Sequence, residues 1–266
     1  MRPRVVGLLE PWLGVLARHV VPGYAAMLGL ACLVGTLVVV DETGRAGFAR
    51  SLALRAMLAA YVMGLAGAGT IPLVQGAIRW WATGSAAGGA GFAAYGGILG
   101  GLAGTAVVVW RARAPVLPFL DAGVPAIGVG YFIARMGCFL AGCDYGKPTA
   151  LPFAVVFPRD SHAWRDHVAR GWISAETPLS LPVHPTQLYM ALCGLALYLL
   201  TRKMSVGAGA RFAAFMAGYA VLRFLVELLR GDASRGSALG LSTSQLIALA
   251  VVATLAVWRV RVHGAR

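Results

Sequence analysis

Charged residues at a helical spacing stand inside an apolar stretch late in the chain. Arg223, Glu227 and Arg230 fall at intervals that place them on one face of an α-helix. Arg135 lies in a second apolar stretch, and an arginine at the centre of a bilayer costs about 2.5–3.5 kcal/mol on insertion scales, so it usually faces a cavity and an anion. Two interpretations are open: a self-neutralising salt bridge, or a site for a phosphodiester. We favour the second, because Glu227 can balance only one arginine.

The composition indicates that most of the chain lies in a lipid bilayer. Of its 266 residues 59% are hydrophobic and 12% are charged, and the mean hydropathy is +0.74. A soluble domain carries roughly twice that charged fraction, so a soluble protein, a disordered chain and a disulfide scaffold are excluded. The net charge of +13 then indicates anionic phospholipid head groups and no nucleic acid as the partner of the basic residues.

Apolar stretches long enough for a bilayer predict an all-α integral membrane protein, a single polytopic domain over residues 1–266. Seven transmembrane helices are expected, at 22–41, 52–75, 86–110, 116–141, 185–201, 211–230 and 239–259. Residues 1–21 form an interfacial segment or a short cytosolic helix. Residues 142–183, between the fourth and fifth spans, form a long extramembrane loop with several prolines and two tryptophans.

The direction of each span places the unusual polar residues in one leaflet. Four lie late in even-numbered spans and five lie early in odd-numbered ones: Arg135, Arg223, Glu227 and Arg230, and Tyr24, Tyr95, His184, Ser242 and Gln245. We therefore expect one polar site that opens to one membrane face, which suits an enzyme better than a channel. Basic residues are denser near the spans on the side of the C-terminus, which favours the C-terminus inside and the N-terminus outside.

Some of these residues also have structural interpretations. Ser242 and Gln245 fit a helix capping box, and His184 with the following proline fits a helix start. Gly96, Gly100 and Gly104 recur every four residues, which predicts close helix packing or room for a lipid.

Two cysteines stand close to the arginine of the fourth span. Cys138 and Cys143 would lie on different faces of a continuous helix, but they could pair on an oxidising side if the helix ends near Gly142. They lack the further ligands that a zinc site needs, so no metal site is expected.

Several strings along the chain together resemble the bacterial prolipoprotein diacylglyceryl transferase family. They are RMGCF at 135–139 with Tyr145-Gly146, LPFAVVFP at 151–158, HPTQLY at 184–189, Arg223 with Glu227 and Arg230, LSTSQ at 241–245 and YGGILG at 95–100. The likeness implies a seven-span protein of the bacterial inner membrane with its site toward the periplasm, and we expect a monomer. It also implies transfer of diacylglycerol from phosphatidylglycerol to the lipobox cysteine of a prolipoprotein, next to its signal peptide, without a metal or organic cofactor.

The resemblance also assigns roles to residues. Arg135 would bind the lipid phosphate with help from Arg230, Arg223 would assist catalysis, and Glu227 would orient the arginines. The remaining substrate-binding candidates are Tyr24, His184, Gln187 and Gln245.

The chain departs from the family pattern at four positions, as a divergent member would, and one of them is Met190 in place of a glutamate. Tyr95 stands where relatives commonly carry a histidine assigned as the base, and Cys138 and Cys143 stand in place of the usual asparagine and glutamate. A phenol has a pKa near 10 and is a poor base at pH 7 unless cations lower that value. The alternatives are a paralogue that uses the same lipid with another acceptor, and a lipid-binding membrane protein without chemistry.

Overall fold

The protein is built almost entirely from helices. The computed structural model describes residues 20–84, 94–204, 207–231, 237–238 and 240–264. The helices are α1 Val20–Arg45, α2 Arg50–Thr83, α3 Ala94–Arg111, α4 Val116–Ala141, α5 His162–Ala169, α6 Thr186–Arg202, α7 Ala210–Glu227 and α8 Thr243–Gly264. Two short antiparallel strands, β1 Ser237–Ala238 and β2 Leu241–Ser242, pair Ser237 with Ser242 just before α8.

The expectation of an all-α membrane protein is supported by the length and composition of the helices. Three segments are long and apolar enough to cross a bilayer, Gly23–Arg45, Arg50–Thr70 and Val116–Ala141, and Gly96–Arg111 and Thr243–Arg259 are shorter apolar helices. Helix α6 has 17 residues, and α7 carries Arg211, Arg223 and Glu227. The count of seven spans therefore stays a prediction.

Helix boundaries differ from the sequence-based ones in two informative places. Helix α2 continues through position 72 to Thr83 instead of ending near the proline, as membrane helices can when neighbouring groups satisfy the freed carbonyl. Helix α7 ends at Glu227 and not at position 230, so Arg230 is not a helical residue. Residues 1–19 and 85–93, which hold most of the predicted interfacial segment and the start of the third predicted span, lie outside the described residues.

The chain divides into two compact units, of which one comprises residues 36–123. In this unit α2 and α3 pack with their backbones in contact: a Cβ on Gly104 would lie 2.6 Å from the carbonyl oxygen of Ala59, and one on Gly67 or Gly100 would collide with the facing backbone. This confirms the predicted small-residue packing, because the glycine face of α3 is filled by α2. Phe48 and Phe119 pack edge to face in the same unit, with centroids 5.2 Å apart.

The second unit comprises residues 1–35 and 124–266. Its helices α4, α6 and α7 enclose a buried cluster of Val124, Leu197 and Phe215. Close packing of α4 on α6 again depends on small residues, since a Cβ on Gly194 would lie 2.9 Å from the ring of Tyr131.

The long connection between α4 and α6 is folded. Helix α5 is capped by Ser161, whose hydroxyl accepts from the Trp164 N–H at 3.2 Å. Isolated bridges pair Val183 with both Pro148 and Val155, and Pro158 with Leu179. Tyr145, Phe157, Ala163 and Val183 form its small core. The loop therefore has its own packing, and its location outside the bilayer stays a prediction.

Candidate active site

The end of helix α4 turns sharply and directs an acidic side chain back at the helix. Gly142 adopts a left-handed conformation (φ 67°), which an L side chain rarely adopts, and Asp144 follows at φ 59°. Through this turn the Asp144 carboxylate accepts a hydrogen bond from the guanidinium of Arg135, nine residues earlier on α4. Arg135 also lies over the ring of Tyr131, 4.8 Å from its centroid.

A second arginine reaches the same carboxylate from the far end of the chain. Arg230 donates to the other oxygen of Asp144. It is held there by backbone pairing after α7 ends, because Gly146 bridges to Arg230 and the Lys147 N–H donates to the Leu229 carbonyl at 2.7 Å. The contact between Asp144 and Arg230 thus joins positions that are 86 residues apart in sequence.

Helix α7 supplies a third arginine and a second carboxylate. Arg223 and Glu227 pair one helical turn apart, and only 6% of each side chain is exposed. Arg223 also donates to the hydroxyl of Ser244 at 3.0 Å, at the start of α8. The Nε atom of Arg230 lies 3.9 Å from the Glu227 carboxylate, so the two ion-paired groups are neighbours.

The charges of this cluster do not balance. Among these five side chains three guanidinium groups face two carboxylates, and no member exposes more than 22% of its side chain. Burying an uncompensated guanidinium is costly, so an arrangement of this kind favours the entry of an anion. A phosphodiester has the charge and the oxygen acceptors that arginines bind best.

Two residues of the HPTQLY string donate hydrogen bonds to the backbone of the turn after α4. The Thr186 hydroxyl donates to the Asp144 carbonyl at 2.6 Å, and the Gln187 amide donates to the Cys143 carbonyl at 2.7 Å. Gln187 is fully buried, and its Oε1 atom has no hydrogen-bond partner among the described residues. His184 pairs through its ring with the Tyr189 hydroxyl at 3.2 Å, and α6 begins directly after Pro185, as predicted.

Tyr24 and Gln245 make further contacts, and only the backbone position of Tyr95 is described. Tyr24 on α1 lies against the backbone of α4, where a Cβ on Gly137 would be 3.3 Å from its ring. Gln245 completes the predicted capping box: its side-chain oxygen accepts from the Ser242 N–H at 3.0 Å, and its own N–H donates to the Ser242 hydroxyl at 3.2 Å. Tyr95 is in the first turn of α3, and its side chain lies outside the described residues.

Sequence reasoning missed Asp144 and Ser244. It assigned Cys143 to the place of the family's usual glutamate and overlooked that the next residue, Asp144, supplies a carboxylate to Arg135. It also placed Arg230 on the helix face of Arg223, whereas Arg230 reaches the cluster from the bridge after α7. The signal available in the sequence was that an acidic residue, Asp144, follows shortly after the RMGCF string at 135–139.

These observations define a class of protein, a helical membrane protein in which buried arginines cluster around two carboxylates. The family model for prolipoprotein diacylglyceryl transferase matches residues 14–261, and the chain belongs to that family.

Relatives with curated names agree with this assignment. The chain is 29% identical over 238 residues to "phosphatidylglycerol--prolipoprotein diacylglyceryl transferase 2" of Clostridium perfringens, which covers 86% of each chain. It is 39% identical over 165 residues to the phosphatidylglycerol--prolipoprotein diacylglyceryl transferase of Clostridium tetani, and this match spans 60% of each chain. A protein of the same name from Burkholderia lata is 34% identical over 196 residues, 66% of each chain.

Proposed function

We propose that this chain transfers the diacylglyceryl group of phosphatidylglycerol to the lipobox cysteine thiol of prolipoproteins. The products are a thioether-linked lipid and glycerol phosphate. The observation that carries the proposal is the buried cluster of three arginines and two carboxylates, in a chain whose relatives are named for this transfer.

The chemistry follows from the charge that develops in the transition state. The acceptor thiolate attacks the glyceryl carbon that bears the phosphate, a carbon–sulfur bond forms, and the carbon–oxygen bond to phosphate breaks. The leaving phosphate gains negative charge as that bond breaks, and fixed guanidinium groups stabilise the gain without having to reorganise. Arg135 and Arg230 bind the phosphate, and Arg223 stabilises the leaving group.

The carboxylates keep the arginines in place in this proposal. Asp144 holds Arg135 and Arg230 at a common point, and Glu227 fixes Arg223 within α7. An entering phosphodiester takes over part of the hydrogen bonding that Asp144 accepts, so the arginines need little movement. The Oε1 atom of Gln187, for which the described part of the chain offers no hydrogen-bond partner, accepts from a headgroup hydroxyl, and Tyr24, His184 and Gln245 line the lipid site.

Tyr95 is our candidate for the base that deprotonates the acceptor thiol, since it stands where the resemblance places a histidine. We expect Tyr95→Phe to lose transfer activity and Tyr95→His to keep it. Wild-type rates in Tyr95→Phe would instead direct attention to His184 and Glu227.

The proposal includes a topology. The chain crosses the bacterial inner membrane seven times as a monomer, with the arginine cluster toward the periplasmic face. There it meets the signal peptides of exported precursors. A cysteine-accessibility scan with a membrane-impermeant maleimide, at single sites in the α4–α6 loop, tests this orientation.

Complementation is the decisive experiment for the activity. A bacterial host is depleted of its own transferase, and the full chain is expressed with a reporter prolipoprotein. We expect mass spectrometry to find the diacylglyceryl thioether on the reporter cysteine. The chain with Arg135→Ala should fail, and Arg165→Ala, which changes an exposed arginine of α5, should succeed. A chain that is present in the membrane and leaves the reporter unmodified would overturn the proposal.

A further inference from the structure

A pair of thiols lies at the C-terminal end of α4. The Gly142 N–H donates to the Phe139 carbonyl and the Cys143 N–H donates to the Cys138 carbonyl, each at 3.2 Å. With Gly142 in the left-handed region, these two bonds form a Schellman turn, in which the side chains at the positions of Cys138 and Cys143 meet. The turn therefore removes the separation that a continuous helix would impose on the two cysteines.

The two thiols are in different electrostatic positions. The Cys143 thiol donates to the Cys138 carbonyl oxygen at 3.6 Å, and its interaction with the Cys138 side chain, together with burial, raises the pKa of Cys143. The Sγ atom of Cys138 is also 4.0 Å from the Nη1 atom of Arg135. Negative charge is thus favoured on the sulfur of Cys138, while Cys143 keeps the proton.

We propose that Cys138 and Cys143 form an intrachain disulfide by exchange with an external disulfide. The Cys138 thiolate attacks the external disulfide and releases one thiol. The Cys143 sulfur, after losing its proton to water, then attacks Cys138 and releases the second thiol. The pair loses two protons and two electrons, and the external disulfide is reduced to two thiols.

The surroundings of this pair suit exchange with a small external disulfide. Both thiols are partly exposed, so a small disulfide can reach them. Cys143 immediately precedes Asp144, and its carbonyl is held by Gln187. The disulfide therefore fastens to α4 the turn that presents Asp144 to Arg135 and Arg230. This inference is independent of the transfer reaction.

Thiol counting on the intact chain tests the proposal. The purified full-length protein is reduced, freed of reductant, incubated with oxidised glutathione, quenched with acid, denatured and alkylated with N-ethylmaleimide. We expect two maleimide adducts, on Cys32 and Cys193, and a peptide holding Cys138 and Cys143 that is lighter by two hydrogens. Four adducts, or glutathione retained on Cys138 or Cys143, would overturn the proposal.

Single variants provide the matched controls. In Cys138→Ser and Cys143→Ser the remaining cysteine of the pair has lost its partner thiol. We therefore expect it to carry maleimide or glutathione and never to form an intrachain disulfide. A bridge from that cysteine to Cys32 or Cys193 would show that proximity in the Schellman turn does not decide the pairing, and the proposal would fail. No step of the test measures lipid transfer, so its result is separate from that of the complementation experiment.

Discussion

The two halves of the arginine cluster are held together in different ways. Arg223 and Glu227 pair within one turn of α7, so the helix that carries them also creates their contact. Asp144 instead joins Arg135 on α4 to Arg230, which arrives by backbone pairing with Gly146. The pair Arg223–Glu227, the local half, depends on the geometry of one helix. Asp144 with Arg135 and Arg230, the long-range half, depends on the fold of the whole unit around the α4–α6 loop.

Removing an arginine from either half tests whether both serve one site. We expect Arg135→Ala and Arg223→Ala each to lower the transfer rate about 10²–10³-fold or more, the cost of losing one preorganised donor to a developing anion. The rates are measured with phosphatidylglycerol vesicles and a lipobox peptide, with Arg165→Ala as the control. Full activity in one of the two variants would confine the chemistry to the other half.

Neutralising the carboxylates separates local from long-range support. Asp144→Asn should destabilise the protein by about 3–5 kcal/mol, because it leaves Arg135 and Arg230 buried without their shared partner. Glu227→Gln should cost less, since Arg223 keeps Ser244. Unfolding in detergent measures both values.

A double-mutant cycle supplies the control for this comparison. Asp144→Asn combined with Arg230→Gln should cost clearly less than the sum of the single variants, because the two side chains interact directly. Additive costs would show that the long-range ion pair does not hold the segments together.

Ser244 sharpens the description of the local half. We expect Ser244→Ala to lower kcat about tenfold with little change in KM, because a hydrogen bond to a charged group is worth about 1.5–3 kcal/mol and this one orients Arg223. Ser244→Thr should restore most of the rate. Thr254→Ala, which removes a hydroxyl that donates to its own helix backbone at the Ala250 carbonyl, is the control, and an equal loss there would contradict the role of Ser244.

Acidification should loosen the long-range half first. His167 in α5 is fully buried and accepts from the Leu181 N–H at 3.2 Å, between the rings of Tyr145 and Trp172. Burial lowers its pKa, with Asp166 acting in the opposite direction and Arg170 reinforcing the shift.

The sign of the effect follows from proton binding. Because the unfolded chain binds this proton more readily, stability is full above about pH 6.5, the ordinary pKa of histidine, and falls as the pH drops below it. Arg170, the C-cap residue of the same helix, donates to the Gly231 carbonyl at 2.9 Å, next to Arg230, so the change reaches the site. Thermal unfolding followed by tryptophan fluorescence should lose this pH dependence in His167→Asn and keep it in His162→Asn, whose histidine is exposed.

The sequence predicted much of this architecture for identifiable reasons. Apolar runs predicted the positions of the long helices, because a helix that spans a bilayer needs about 20 mainly apolar residues. The four-residue glycine repeat predicted the contact of α3 with α2, and Ser242 with Gln245 predicted the cap of α8. These features depend on spacing within a few residues.

What sequence reasoning could not supply came from distant contacts. That Asp144 faces Arg135 depends on Gly142 adopting a left-handed turn, and that Arg230 meets the same carboxylate depends on a bridge to Gly146. The amino-acid sequence alone determined which charged residues lie in the apolar segments, because helical spacing and hydropathy are local properties. Only the tertiary structure decided which carboxylate each arginine binds, because the free energy of a buried ion pair depends on where the rest of the fold brings its partner.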